Sequence, residues 1–304
     1  MEAPHPPALA ATASELPKWH NFFLIGLLLW IASVIVTGTT GNVNMIPTVV
    51  LLGSFLVPVT GVIWYLDHYD SPVLTLRLVF STFIVGGVLG TLAASVLESW
   101  LRTESLLLYA GVGLIEEFAK LAALMFVARR LPYYAVRDGV VLGATVGFGF
   151  GAFESSGYAL TSLFARGGHD VSLSLGNLVF TELIRGIWAP VGHGLWTAIL
   201  GGVLFGAGRG GRLRLTGRVV GAYLVVALFH TLWDAMRGVA FVLTAVFTAT
   251  PAQRIAIMEG VLLPPTIKQV KTFLAIEIGG LVVISLAGLL MLWRLWHARD
   301  RGPA

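Results

Sequence analysis

Long apolar segments alternate with short polar ones along most of the 304-residue chain. A helix needs about 20 mainly apolar residues to cross the hydrocarbon core of a bilayer. This window predicts an all-α fold, a polytopic membrane helix bundle of about eight transmembrane helices. The predicted spans cover residues 21–37, 46–66, 73–97, 105–128, 139–163, 186–207, 219–247 and 272–295.

The stretch 177–207 is the least regular, because Glu182, Arg185 and Pro190 interrupt its apolar pattern. It can hold one span or two, and we expect one span preceded by an interfacial segment over 173–185. Residues 1–18 are expected to form a disordered cytoplasmic tail and residues 298–304 a second cytoplasmic tail. Residues 19–297 then form a single transmembrane domain.

The composition supports a membrane protein, with 56% hydrophobic and only 12% charged residues. Soluble domains carry about 25% charged residues, so lipid must cover the excess apolar surface here. The 36 glycines suit helices that pack closely within a membrane. Cysteine is absent, which excludes disulfides, thiolate metal ligands and a cysteine nucleophile.

Basic residues predict the orientation of the chain. If both termini are cytoplasmic, 12 lysines and arginines lie on the cytoplasmic side and 7 on the other, and Lys120 inside a span completes the 20. The positive-inside rule therefore favours cytoplasmic termini. The short loops 129–137 and 209–218 carry most of the bias, so these basic clusters indicate topology and not a nucleic-acid partner.

Three charged residues fall inside the fourth predicted span: Glu116, Glu117 and Lys120. A charge at the centre of a membrane helix costs about 2.5–3.5 kcal/mol on insertion scales, so each one requires a reason. Glu116 and Lys120 are one helical turn apart and are expected to pair. Glu117 is expected to have no such partner within its own span.

Further polar residues lie in the next three spans. Glu154 borders a stripe of small residues at four-residue spacing, which predicts close helix packing. The sixth span carries His193, and the seventh carries His230 and Asp234 one turn apart, so that the carboxylate can orient the imidazole. At about 1.5 Å per residue, all of these groups fall in one layer in the middle to outer half of a ~30 Å core. The stripe consists of Gly139, Gly143, Gly147, Gly151 and Ser155.

Carboxylates and imidazoles in one layer suit hydrolysis of a carbonyl substrate by either of two routes. A glutamate can activate water while a histidine stabilises the oxyanion. Alternatively, glutamate and histidine can bind a divalent metal such as zinc and leave one position for water. The chain has no G-x-S-x-G, H-E-x-x-H or P-loop motif, which weighs against serine hydrolases, soluble zincins and NTPases.

The order of the motifs resembles the PrsW family of intramembrane proteases, which is related to the CAAX prenyl endopeptidases and the CPBP family. The matching motifs are EExxK at 116–120, FxxxE at 150–154, His193, and HxxxD at 230–234. The resemblance covers roughly residues 47–238. It departs from the family after Glu154, where Ser155 stands in place of the usual asparagine.

The resemblance implies an intramembrane endopeptidase of the bacterial cytoplasmic membrane. Its partners would be the lipid bilayer and a single-span membrane substrate such as an anti-sigma factor, cut near the extracytoplasmic side. The expected catalytic residues are Glu116, Glu117, Glu154, His193 and His230. Lys120, Asp234 and Phe150 are expected to support them.

Specific roles follow from this assignment. Glu116 or Glu117 activates water, Lys120 neutralises the other carboxylate, and Asp234 orients His230. If a divalent metal is bound, its expected ligands are Glu117, Glu154, His193 and His230.

Two other classes of protein remain open. Buried glutamates and histidines also relay protons in proton- or cation-coupled transporters. The sequence has no visible inverted repeat, which weighs against a transporter. In a non-catalytic membrane scaffold, the same polar groups would only hold the helices together.

Overall fold

The computed structural model describes residues 17–101, 106–167 and 170–297. The predicted tails therefore lie almost wholly outside the described residues. Helices dominate the described part, as expected from the apolar segments. They are α1 (Trp19–Thr40), α2 (Ile46–His68), α3 (Leu76–Ile84), α4 (Gly90–Glu98), α5 (Leu106–Ala128), α6 (Val136–Leu163), α7 (Leu175–Trp188), α8 (His193–Gly206), α9 (Gly217–Thr248), α10 (Pro251–Met258) and α11 (Ile267–Trp296).

The prediction of a polytopic helix bundle is confirmed. Within the described ranges, seven helical segments are long and apolar enough to cross a membrane. Helices α3 and α4 form one of them, joined by the π-helical turn Val85–Leu89. Helix α5 is not among the seven, because its three charged residues fall in every 18-residue window of the helix. It is nevertheless 23 residues long, which accounts for the eighth predicted span.

The irregular stretch 177–207 forms a broken helix. Helix α7 joins α8 through the 3₁₀ turn Ala189–Val191 and Gly192, whose φ of −97° and ψ of −125° are not helical. Each helix has 14 residues, which gives a length of about 21 Å, shorter than a ~30 Å core. The two together therefore make a single crossing. The segment expected to be interfacial is helical from Leu175 onward.

A short β-hairpin precedes this broken helix and was not predicted. Strand β1 (Phe164–Gly167) pairs antiparallel with strand β2 (Asp170–Leu173). If successive crossings alternate in direction, this hairpin and α10 lie at one end of the bundle, here called the hairpin side. The loops 129–135 and 207–216, rich in arginine, lie at the other end, here called the arginine side.

Helix α6 is the centre of the bundle and packs against α8 with direct backbone contact. A Cβ atom added to Gly143 would overlap the carbonyl oxygen of Thr197, and one added to Gly147 would overlap that of His193. The predicted packing role of the small-residue stripe is thus confirmed. Because the two backbones touch, the first turn of α8 is held directly beside the polar part of α6.

The α3–α4 span packs against a neighbouring face of α6 at the π-helical turn. A Cβ atom on Gly87 would overlap the ring of Phe153, and one on Gly90 would lie 3.1 Å from the ring of Phe150. A π-helical turn changes the direction in which the following side chains point, and such turns are frequent at functional sites. Here it leaves room for Phe150, which points into the polar cluster described below.

Candidate active site

Lys120 lies between two glutamates of its own helix. Its Nζ atom donates to Glu116 Oε2 at 3.1 Å and to Glu117 Oε1 at 2.8 Å, and all three side chains are buried. This corrects two expectations: Glu117 does have a partner within its span, and Lys120 contacts both carboxylates. Positions three and four residues apart lie on the same helical face, so one lysine reaches both.

His193, the first residue of α8, connects this group to α6. Its Nδ1 atom lies 2.7 Å from Lys120 Nζ and its Nε2 atom lies 2.9 Å from Glu154 Oε2. An ammonium group can only donate, so Nδ1 accepts and the ring proton resides on Nε2, which donates to Glu154. The ring of Phe150 lies 4.2 Å from Lys120 Nζ and packs against the His193 ring.

His230 contributes the second imidazole from α9. Its Nδ1 atom lies 3.0 Å from Glu117 Oε1, within hydrogen-bonding distance. Its Nε2 atom faces Asp234 Oδ2 at 3.4 Å and Glu116 Oε2 at 3.7 Å. Asp234 was expected to orient this ring. The structure gives the closer contact to Glu117, a partner that only tertiary packing could reveal.

Trp196 forms one wall of the cluster and was not predicted as a site residue. It is buried, and its ring centroid lies 4.9 Å from that of His230 and 5.5 Å from that of His193. Its position three residues after His193 places it on the same face of α8. The cluster is open at another edge, where the side chains of Glu154 and Asp234 are 19% and 29% exposed.

Arg185 and Glu98 also belong to the cluster, although the sequence pattern did not predict either of them as a site residue. Arg185 on α7 forms an ion pair with Glu154. Glu98, the last residue of α4, has one buried carboxylate oxygen and interacts electrostatically with Lys120, Glu154 and other members. The signal in the sequence was only that each is a charged residue within or at the end of an apolar segment.

Three side chains are placed to hold a metal ion. Glu116, His193 and His230 each offer one ligand atom, and these atoms lie within 4.8 Å of one another. Glu116 Oε2 is 3.9 Å from His193 Nδ1 and 3.7 Å from His230 Nε2. In a tetrahedral zinc site with bonds of about 2.0–2.2 Å, ligand atoms are separated by roughly 3.3 Å, so a small contraction suffices.

This set differs from the ligands expected from the sequence. Glu117 and Glu154 contact the other nitrogen of each ring, which is where carboxylates that orient a metal-binding histidine are found. Lys120 Nζ lies close to two of the three ligand atoms. Its flexible side chain would therefore have to withdraw when a cation binds. With that movement, the donor set fits zinc, with one coordination position left for water.

The comparisons with known proteins identify the family of this chain. The chain matches the family described as PrsW family intramembrane metalloprotease over residues 74–258, more than half of its length. The chain belongs to this family. No curated protein and no solved structure matches it. As a PrsW-family member the protein is an intramembrane peptidase, and the transporter and scaffold alternatives are set aside.

The buried ion network of this PrsW-family protein makes Lys120 important for stability. We predict that Lys120→Met, which preserves the length of the side chain, lowers the free energy of unfolding of the metal-free protein by about 3–5 kcal/mol, because two buried carboxylates lose their cation. Thermal and denaturant unfolding in detergent measure this loss. Lys268→Met, at an exposed lysine of α11, is the control and is expected to leave stability unchanged. Equal stability of the two variants would contradict the prediction.

Proposed function

We propose that this peptidase cleaves a single-span membrane protein, such as an anti-sigma factor, near the extracytoplasmic side of a bacterial cytoplasmic membrane. The observation that carries the proposal is the convergence of Glu116, His193 and His230, with Glu117 beside them, inside a bundle of membrane-spanning helices. A peptide bond within or near a membrane span can reach such a cluster only at membrane depth. The partly exposed edge near Glu154 and Asp234 gives water and substrate a route to it.

The charges of the cluster support a bound divalent cation. Its two permanent cations, Lys120 and Arg185, are outnumbered by its carboxylates. A net negative charge away from bulk water is costly unless it is compensated. A divalent ion held by Glu116 and the two imidazoles would offset most of it. The carboxylates are Glu98, Glu116, Glu117, Glu154 and Asp234.

The proposed reaction is hydrolysis of the peptide bond by water. A bound zinc ion would polarise the carbonyl group and make water a better nucleophile. Glu116, His193 and His230 would hold the ion, and Glu154 and Glu117 fix the two rings. Glu117 Oε2 is buried without a hydrogen-bond partner among the described residues, so it is free to accept a proton.

Glu117 is therefore the proposed general base. The water oxygen bonds to the carbonyl carbon while its proton passes to Glu117. The carbon–nitrogen bond then breaks, and the proton passes from Glu117 to the departing amine. The products are a carboxylic acid and an amine, and Glu117 returns to its starting state.

Replacing the proposed site residues tests the assignment. We predict that Glu116→Gln, Glu117→Gln, His193→Ala and His230→Ala each reduce cleavage of a co-expressed single-span substrate by about 10²-fold or more, the usual contribution of a positioned acid–base group. Immunoblotting of the cleaved fragment measures this. Glu259→Gln, at an exposed glutamate after α10, is the control. Cleavage at the wild-type rate by all four site variants would refute the assignment.

The metal is tested separately from activity. We predict that the purified protein contains about one zinc ion per chain and that the His193→Ala/His230→Ala double variant contains none, because two of three protein ligands are lost. Elemental analysis of both proteins measures the content. A wild-type protein that is active but free of metal would favour a glutamate base acting without a metal.

The orientation is proposed from the distribution of basic residues, with the arginine side in the cytoplasm. The natural absence of cysteine makes this simple to test. Thr39→Cys near the end of α1 and Asp70→Cys after α2 place single thiols at opposite ends of the bundle, both exposed. We predict that a membrane-impermeant maleimide labels the first in intact cells and the second only after lysis. The reverse pattern would invert the proposed topology.

A further inference from the structure

Helix α7 presents one face to the protein and the other to its surroundings. Leu178, Glu182 and Arg185 follow the i, i+4, i+7 spacing of a single helical face. Leu178 and Glu182 are buried, whereas Phe180 and Ile187, on other faces, are exposed. The two charged residues of α7 are therefore directed inward, and each has a defined partner.

Glu182 attaches α7 to the first two helices. Its Oε2 atom accepts a hydrogen bond of 2.8 Å from Trp30 Nε1 on α1. Its carboxyl group packs directly on Gly53 of α2, where an added Cβ atom would overlap it. This contact fixes the position of α7 one turn before Arg185.

Arg185 makes three contacts with α6. It forms an ion pair with Glu154, its Nε atom donates to Ser155 Oγ at 2.7 Å, and its guanidinium group lies 4.3 Å from the centre of the Tyr158 ring. A planar guanidinium group can satisfy such partners simultaneously, whereas an ammonium group cannot. The arginine is thus held in one geometry.

Glu154 links Arg185 to His193. The same oxygen, Oε2, accepts from Arg185 and from His193 Nε2. With the proton held on Nε2, the lone pair of His193 Nδ1 points to Glu116 and Lys120. That lone pair is the one that would bind a metal, because Nδ1 is the nitrogen close to Glu116 Oε2.

We propose that Arg185 is a positioning residue: it holds Glu154 against His193 and so fixes the tautomer and orientation that make Nδ1 available as a ligand. The part of this inference that concerns metal binding rests on the proposed function. The part that concerns the tautomer of His193 applies to the metal-free protein and can be tested without an activity measurement. Arg185 itself does not contact the reacting atoms.

The first experiment measures the tautomer. In zinc-free protein labelled with ¹⁵N-histidine, the imidazole signals of His193 are expected to show the Nε2-protonated form in the wild type. Arg185→Gln is expected to give a mixture of tautomers, because Glu154 loses the cation that holds it in place and only the flexible Lys120 side chain still favours the Nε2-protonated form. Arg218→Gln, at an exposed arginine on the arginine side, is the control. An unchanged tautomer in Arg185→Gln would overturn the inference.

The second experiment measures zinc affinity by competition with a chelator. Loss of a residue that orients a metal-binding histidine typically reduces metal affinity 10–100-fold, so Arg185→Gln is expected to weaken zinc binding by that factor. Arg185→Lys keeps the positive charge but lacks the planar guanidinium group. Its zinc affinity is expected to lie between those of Arg185→Gln and the wild type. Excess zinc is expected to restore cleavage by Arg185→Gln but not by His193→Ala.

The outcomes separate this inference from the proposed function. If the wild type neither binds zinc nor cleaves, the proposed function fails, and the tautomer measurement still decides the role of Arg185. If the wild type binds zinc and cleaves, and Arg185→Gln matches it in zinc affinity and tautomer while unfolding at a lower temperature, Arg185 is structural only and the inference is wrong.

Discussion

A lysine ammonium group inside a membrane protein must be surrounded by acceptors, and this requirement organises the site. Lys120 Nζ has three of them: two carboxylates from its own helix and a ring nitrogen from α8. The carboxylates of the adjacent residues Glu116 and Glu117 both contact this ammonium group, which compensates their charges. Without it, α5 would carry uncompensated negative charge at membrane depth. In the metal-free protein the same group also connects α5 to α8, through its contact with His193.

The close approach of α6 and α8 is the second requirement. Glycines at four-residue spacing allow the two backbones to touch, and this contact places His193 beside Glu154. A single methyl group on Gly147 would push away the carbonyl group of His193 itself. The small-residue stripe therefore positions two residues of the proposed site, although none of its glycines belongs to that site.

Much of this arrangement could be predicted from the sequence, and the failures have identifiable causes. Apolar segments of sufficient length predicted the spans, and the shared depth of the polar residues predicted a common site. Both predictions depend only on distance along a helix. Asp234 could be proposed as a partner of His230 because an i+4 neighbour is visible in the sequence, whereas the second partner, Glu117, approaches from another helix and could not be predicted. Arg185 was taken only as an interruption of a span, since the direction of α7 depends on the break at Gly192, a backbone conformation that sequence spacing does not reveal.

That break at Gly192 has an electrostatic consequence. Helix α8 begins at His193, so the unpaired amide groups of its first turn lie at the same end of the helix as the proposed catalytic cluster. The aligned peptide dipoles give this end a partial positive charge, and inside a bilayer little solvent is present to screen it. A continuous helix through residues 175–206 would have no such end at this depth. By interrupting one crossing, the fold supplies a fixed positive potential beside its carboxylates, one that neither proton exchange nor loss of an ion can remove.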